Sequence, residues 1–140
     1  MRDRITAAVA AALAVTVVGA CTPQPPTRLA STASVTVNGN ETKFNVVKCG
    51  QVQWTRTIDI GGDFAGARIV VDEQAESVSA ESVRLRNVSG FTGMYSRGGQ
   101  GDADARLSGD RFTITGTAHG YKSDKPNEPD TATFKITVAC

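Results

Sequence analysis

The chain has 140 residues, with 15 lysines and arginines against 14 aspartates and glutamates, a formal net charge of +1. That balance argues against a general nucleic-acid binder, which needs a basic excess to neutralise phosphates. The 14 glycines and an ordinary apolar fraction of 40% favour one packed domain of strands and turns.

The N-terminus is a targeting segment. Met1-Arg2-Asp3-Arg4 is a charged head, the 14 residues from Ile5 to Val18 are apolar, and Val18-Gly19-Ala20 leads directly into Cys21. A secretory signal has that order of charge, apolar run and small residues. A transmembrane helix needs about 20 residues to cross the hydrocarbon core, more than this alanine-rich run provides. A plain cleaved signal gives no reason for the cysteine. A cysteine immediately after the cut is the bacterial lipoprotein arrangement, in which the thiol takes a diacylglyceryl group with palmitate-type chains. Residues 1–20 are therefore expected to be a lipoprotein signal peptide and Cys21 the lipidation site. The protein would then be held at the extracytoplasmic face of the cell membrane. One acyl chain binds only marginally, at about 0.8 kcal/mol per buried methylene, whereas two hold durably.

Loss of Arg2 and Arg4 takes the 15 basic residues to 13, and loss of Asp3 takes the 14 acidic residues to 13, so the mature chain is formally neutral. Of the three cysteines, Cys49 and Cys140 remain once Cys21 is acylated. In an exported protein they are expected to form a disulfide, the alternative being two free buried thiols. Two cysteines and a single histidine fall short of the usual four zinc ligands, so no metal site is expected.

Residues 21–34 read as a proline-rich tether: Pro23, Pro25 and Pro26 favour extended polyproline II and block helix. Residues 35–140 read as a β domain. Val35-Thr36-Val37 alternates, and Asn38-Gly39 is a hairpin-turn dipeptide. A second strand is expected through Phe44 and Val46 to Cys49. Val52, Trp54, Ile58 and Ile60 share one phase, interrupted by Arg56, where that face is expected to open to solvent. Gly61-Gly62 ends this run, and Ile69-Val70-Val71 begins another. Asp72 to Ser77 is the one candidate for a helical turn. Val83 and Leu85, then Phe91 and Tyr95, then Ala103, Ala105 and Leu107 continue the alternation. Phe112, Ile114, Gly116 and Ala118 form one inward set. Phe134, Ile136, Val138 and Cys140 form another, which places Cys140 with the core. Lys122 to Asp130, with Pro126 and Pro129, reads as a surface loop. Such repeated period-two alternation predicts a mainly β fold: an antiparallel β-sandwich or partly open barrel of about eight to nine short strands, with at most one short helix.

Catalytic and cofactor signals are weak. His119 is the single histidine and no Gly-x-Ser-x-Gly elbow accompanies it, so no catalytic residue and no enzymatic activity are expected. Gly98-Gly99-Gln100-Gly101 lacks the Lys-Ser/Thr of a phosphate loop and reads as a turn. Asp102 and Asp104 share a strand face without the spacing of a calcium loop. Asp59 and Asp63 flank a glycine turn, where a turn role is the simpler reading. Asn40-Glu41-Thr42 and Asn87-Val88-Ser89 match the N-glycosylation acceptor and are read as unused. Trp54, Phe64, Phe91, Tyr95, Phe112, Tyr121 and Phe134 are either core or the lining of an apolar surface. In the second case a pocket between the sheets would carry a lipid or glycolipid.

Several segments together carry a resemblance. They are Val47-Lys48-Cys49-Gly50, Thr57-Ile58-Asp59-Ile60-Gly61-Gly62, Val83-Arg84-Leu85-Arg86-Asn87-Val88-Ser89-Gly90, Tyr95, Gly99-Gln100-Gly101-Asp102-Ala103-Asp104-Ala105, Phe112-Thr113-Ile114-Thr115-Gly116-Thr117-Ala118 and Phe134-Lys135-Ile136-Thr137-Val138-Ala139-Cys140. With Cys21, this set resembles the mycobacterial 19 kDa lipoprotein antigen family. The resemblance implies a surface antigen of the cell envelope with no established enzymatic activity and no cofactor. It implies acylation at Cys21, a bridge between Cys49 and Cys140, and host Toll-like receptors as partners of the acylated end. The tether here is shorter and richer in proline than that family's glycosylated linker, which argues against glycosylation of the tether.

Overall fold

The computed structural model describes residue 19 and residues 32–140. The expected signal segment, Cys21 and most of the expected tether lie outside the described residues. Ten strands follow in chain order: β1 Ala33–Val37, β2 Asn40–Phe44, β3 Val47–Val52, β4 Thr55–Gly61, β5 Gly66–Asp72, β6 Ser79–Val88, β7 Phe91–Ser96, β8 Asp102–Ser108, β9 Arg111–Lys122 and β10 Lys125–Ala139. All pairings are antiparallel, in the order β2-β1-β10-β9-β7-β6-β5-β4-β3, with β8 paired to the first part of β9. The sheet curls into a nearly closed barrel, the mainly β architecture that the alternation predicts.

Inward residues follow the period of two closely. Ile58 and Ile60 on β4, Ile69 and Val71 on β5, Val83 and Leu85 on β6, and Ile114 on β9 are fully buried. They meet Val35, Phe91, Phe112 and Ile136 across the interior. Burying a side chain of this size contributes about 1.5 to 3 kcal/mol. The structure buries no whole polar or charged residue among those described. The Asn38-Gly39 turn has positive φ at both residues, 48° and 83°, as a type I′ hairpin requires.

β9 changes neighbours along its length. It pairs with β8 up to Thr117 and with β7 from His119 onward. A Cβ on Gly120 would run into the Thr92 carbonyl and the Gly93 Cα, so only glycine lets β7 approach there.

The structure corrects several local expectations. The second strand is interrupted at Asn45-Val46, and the run from Val52 to Ile60 is two strands joined by a turn at Gln53-Trp54, where Gln53 has φ 53°. Val52 and Trp54 therefore sit at an exposed hairpin tip. Their shared phase with Ile58 had no turn glycine to break it in the sequence. Asp72 to Ser77 is the end of β5 and a bend, with Asp72 accepting a hydrogen bond from the Gln74 backbone at 2.8 Å. Lys122 to Asp130 is not a loop. Ser123-Asp124 turns the chain, and β10 starts at Lys125 with a bulge before Asp130 that absorbs Pro126 and Pro129. Arg56 is half-buried on the inner face, next to the exposed Val52 and Trp54. Its Nε donates to Glu73 at 2.9 Å, and its guanidinium lies 5.3 Å over the Phe112 ring.

Candidate functional site: a cationic groove beside the start of the barrel

The outer face of β3 to β6 carries a cross-strand row. Lys48, Asp59, Arg68 and Arg84 are register partners in succession, so the pleat sends all four side chains to the same side. Arg86 lies two residues further along β6, on that face. Its Nη2 donates to the Gly62 carbonyl at 3.0 Å, and it passes close over Gly66, where a Cβ would meet it at 3.1 Å. The glycines of the β4–β5 turn thus make room for an arginine laid across the strand ends.

These side chains line an open groove of about 670 Å³, completed by Phe44, Asn45, Val46 and Asp63. Arg84 borders its continuation past Asp59 and Arg68. Four cations face two carboxylates. Asp59 is held by Arg68 through Nε at 2.7 Å and Nη2 at 3.2 Å. That hydrogen-bonded pair keeps the Asp59 carboxyl below its ordinary value, opposed by partial burial and assisted by the charges of Arg68, Arg86 and Lys48. The Nε of Arg86 is the one buried side-chain polar atom among the described residues without a hydrogen-bond partner. Sequence reasoning did not find this group. Asp59 is not the turn residue that its place before Gly61-Gly62 suggests, since it lies within β4 and pairs with Arg68, and the cations lie on three different strands whose register no single segment reveals.

The groove adjoins the point where the described chain begins. Ala33 pairs with Phe44 across β1 and β2. Asn45 is shared with a second hollow, lined by Thr32, Ala33 and Arg111 among others.

Other sequence candidates are placed apart. Cys49 and Cys140 are bridged, with Cα atoms 6.0 Å apart and a separation of 91 residues. Both are exposed, so Cys140 does not continue the buried row of Phe134, Ile136 and Val138: β10 ends at Ala139. The bond ties the edge strand β3 to the end of β10 and fastens the curled sheet. His119 is half-buried, and its Nδ1 lies 3.2 Å from Thr131 Oγ1, a pairing with a hydroxyl outside any serine–carboxylate arrangement. Asp102 accepts from Thr117 Oγ1 at 2.8 Å and Asp104 pairs with Arg106 at 3.2 Å, so the two carboxylates serve separate partners. Gly98-Gly99-Gln100-Gly101 is a turn between β7 and β8. The aromatic candidates divide: Phe91, Tyr95, Phe112 and Phe134 fill the core, whereas Trp54, Phe64 and Tyr121 are exposed. They do not line a common pocket.

The family described as Mycobacterium 19 kDa lipoprotein antigen matches residues 26–140. A putative lipoprotein of Mycobacterium indicus pranii is 60% identical over 140 residues, covering all of both chains. The probable lipoprotein LppE of Mycobacterium tuberculosis is 33% identical over 108 residues, 77% of each chain. Lipoprotein LpqH of Mycobacterium bovis is 36% identical over 114 residues, 79% of this chain and 70% of its own. The chain belongs to the Mycobacterium 19 kDa lipoprotein antigen family.

Proposed function

We propose that this protein is a non-enzymatic lipoprotein of the cell envelope, held at the extracytoplasmic face of the membrane by acyl chains on Cys21. In this reading residues 1–20 are removed as a signal and the barrel is displayed as a surface antigen and interaction module. The observation that carries it is Cys21 itself, placed directly behind Val18-Gly19-Ala20 and the apolar run. Three further facts support it. The relatives are named as lipoproteins. The Cys49–Cys140 bridge leaves Cys21 as the remaining thiol of the chain and suits an oxidising compartment. The single histidine is partnered by a threonine. The acylated end is the group a host receptor would engage, as the family resemblance implies. A lipid carrier finds no support in the interior, where aliphatic and aromatic side chains fill the space between the walls.

The test is fractionation with a labelled acyl chain. Expressed in a mycobacterial host, the full chain is expected in the membrane fraction with the label incorporated. The Cys21→Ala variant is expected to lose the label and leave that fraction. Membrane retention of Cys21→Ala without label would overturn the anchor.

A further inference from the structure

We infer that the groove of Lys48, Arg68, Arg84 and Arg86 docks the barrel onto the phosphate-bearing headgroups of anionic membrane lipids, in the same leaflet that holds Cys21. The inference rests on the lipid-anchor reading and adds an orientation to it. Three observations carry it. The first is charge: the mature chain is formally neutral, yet this face gathers four cations against Asp59 and Asp63. A neutral protein can thus present a locally positive face to an anionic surface. Arg86 lines this groove as well, and guanidinium groups suit phosphate oxygens.

The second is the apolar rim. Phe64, at the tip of the β4–β5 turn, is 83% exposed and Val46 is 53% exposed. Val46 lines the groove, and Phe64 directly follows its wall residue Asp63. An aromatic and an aliphatic side chain beside a cationic cluster match a headgroup layer, where the charges meet phosphate and the apolar groups reach the acyl boundary.

The third is chain length. Ten residues, 22–31, separate Cys21 from Thr32. Even fully extended they reach at most about 40 Å. The groove lies next to the start of β1, sharing Asn45 with the hollow at Thr32. The start of β1, which the groove adjoins, is therefore confined to within about 40 Å of the anchor. Confinement raises the effective concentration of headgroups, so contacts too weak to hold a free protein become populated.

The test uses the acylated chain reconstituted into vesicles. Trp54→Phe removes the native indole, and Phe64→Trp places one at the groove rim. Quenching by brominated acyl chains then reports contact. Strong quenching is expected in vesicles of phosphatidylcholine mixed with phosphatidylglycerol, and weak quenching in phosphatidylcholine alone. Added salt should reduce it. Lys48→Gln and Arg84→Gln, both exposed positions, should each lower the ratio of docked to undocked protein about fivefold. Equal quenching in both vesicle types, unchanged by salt and by these variants, would overturn docking. So would inorganic phosphate binding at the groove with no lipid-dependent quenching, which would mark a site for free phosphate. Flotation on phosphatidylcholine vesicles reads the anchor separately. A chain that floats there without quenching keeps the anchor and loses the docking. A chain that floats only with anionic vesicles and is released by salt loses the anchor and keeps the docking.

Discussion

Single residues decide where this barrel is polar. Arg56 occupies an inward position on β4, in phase with Ile58 and Ile60, and stays there because Glu73 and Phe112 receive its guanidinium. Asp59 works on the outer face. Its pairing with Arg68 lowers its pKa from an ordinary value of about 3.8. A depressed carboxylate contributes stability above its unfolded pKa, and that contribution is lost as pH falls through the folded value. The window is therefore the acid side, below about pH 4. Chemical denaturation of Asp59→Asn across pH 2 to 6 should give a flatter acid limb than the parent, with only a small difference near neutrality because the pair is exposed. A parallel acid limb would rule out Asp59 as a source of the acid sensitivity. The alternation of Thr57, Ile58, Asp59 and Ile60 makes the direction of Asp59 legible in sequence. Its partner was not legible, because Arg68 reaches it only through the register of β4 with β5.

At the scale of elements, turns set the register. Asn38 and Gly39 join β1 to β2, and the turn is itself tied to β10: the Asn38 backbone N–H donates to the Thr133 carbonyl at 2.9 Å, and Thr133 N donates to Asn38 Oδ1 at 3.0 Å. Gly39 has φ 83°, a region that costs a β-branched residue about 1 to 2 kcal/mol. Gly39→Val should lower unfolding free energy by about that amount, read by urea denaturation. No loss would mean that the turn does not depend on this conformation. This hairpin was readable because Asn-Gly is a specific turn signal. The β3–β4 turn was not, since Gln53 adopts positive φ without being glycine and the apolar phase runs on through it. The tip of the β9–β10 ribbon, Lys122 to Asp130, reads as a loop for the opposite reason: Pro126 and Pro129 look like loop residues, and only the bulge shows how a strand contains them.

For the whole molecule, closure is the controlling feature. β2 and β3 end the hydrogen-bonded order, and the Cys49–Cys140 bridge fastens β3 to the chain's last strand. Cross-linking over 91 residues restricts the unfolded chain by about 4 to 5 kcal/mol on loop-entropy grounds. Cys49→Ala should lower the melting temperature by more than about 10 °C, and calorimetry showing an unchanged midpoint would refute a stabilising bridge. The sequence by itself determined the residues expected to carry the anchor, the pairing of the two remaining cysteines and the β class. Those depend on local order, on counting and on a period of two, all of which are written along the chain. Tertiary structure alone decided that Lys48, Arg68, Arg84 and Arg86 share one groove beside Thr32, and that exposed aromatics and core aromatics part company. Such proximity arises from strand register and sheet closure, which join residues far apart in sequence and leave no periodic trace within any one segment.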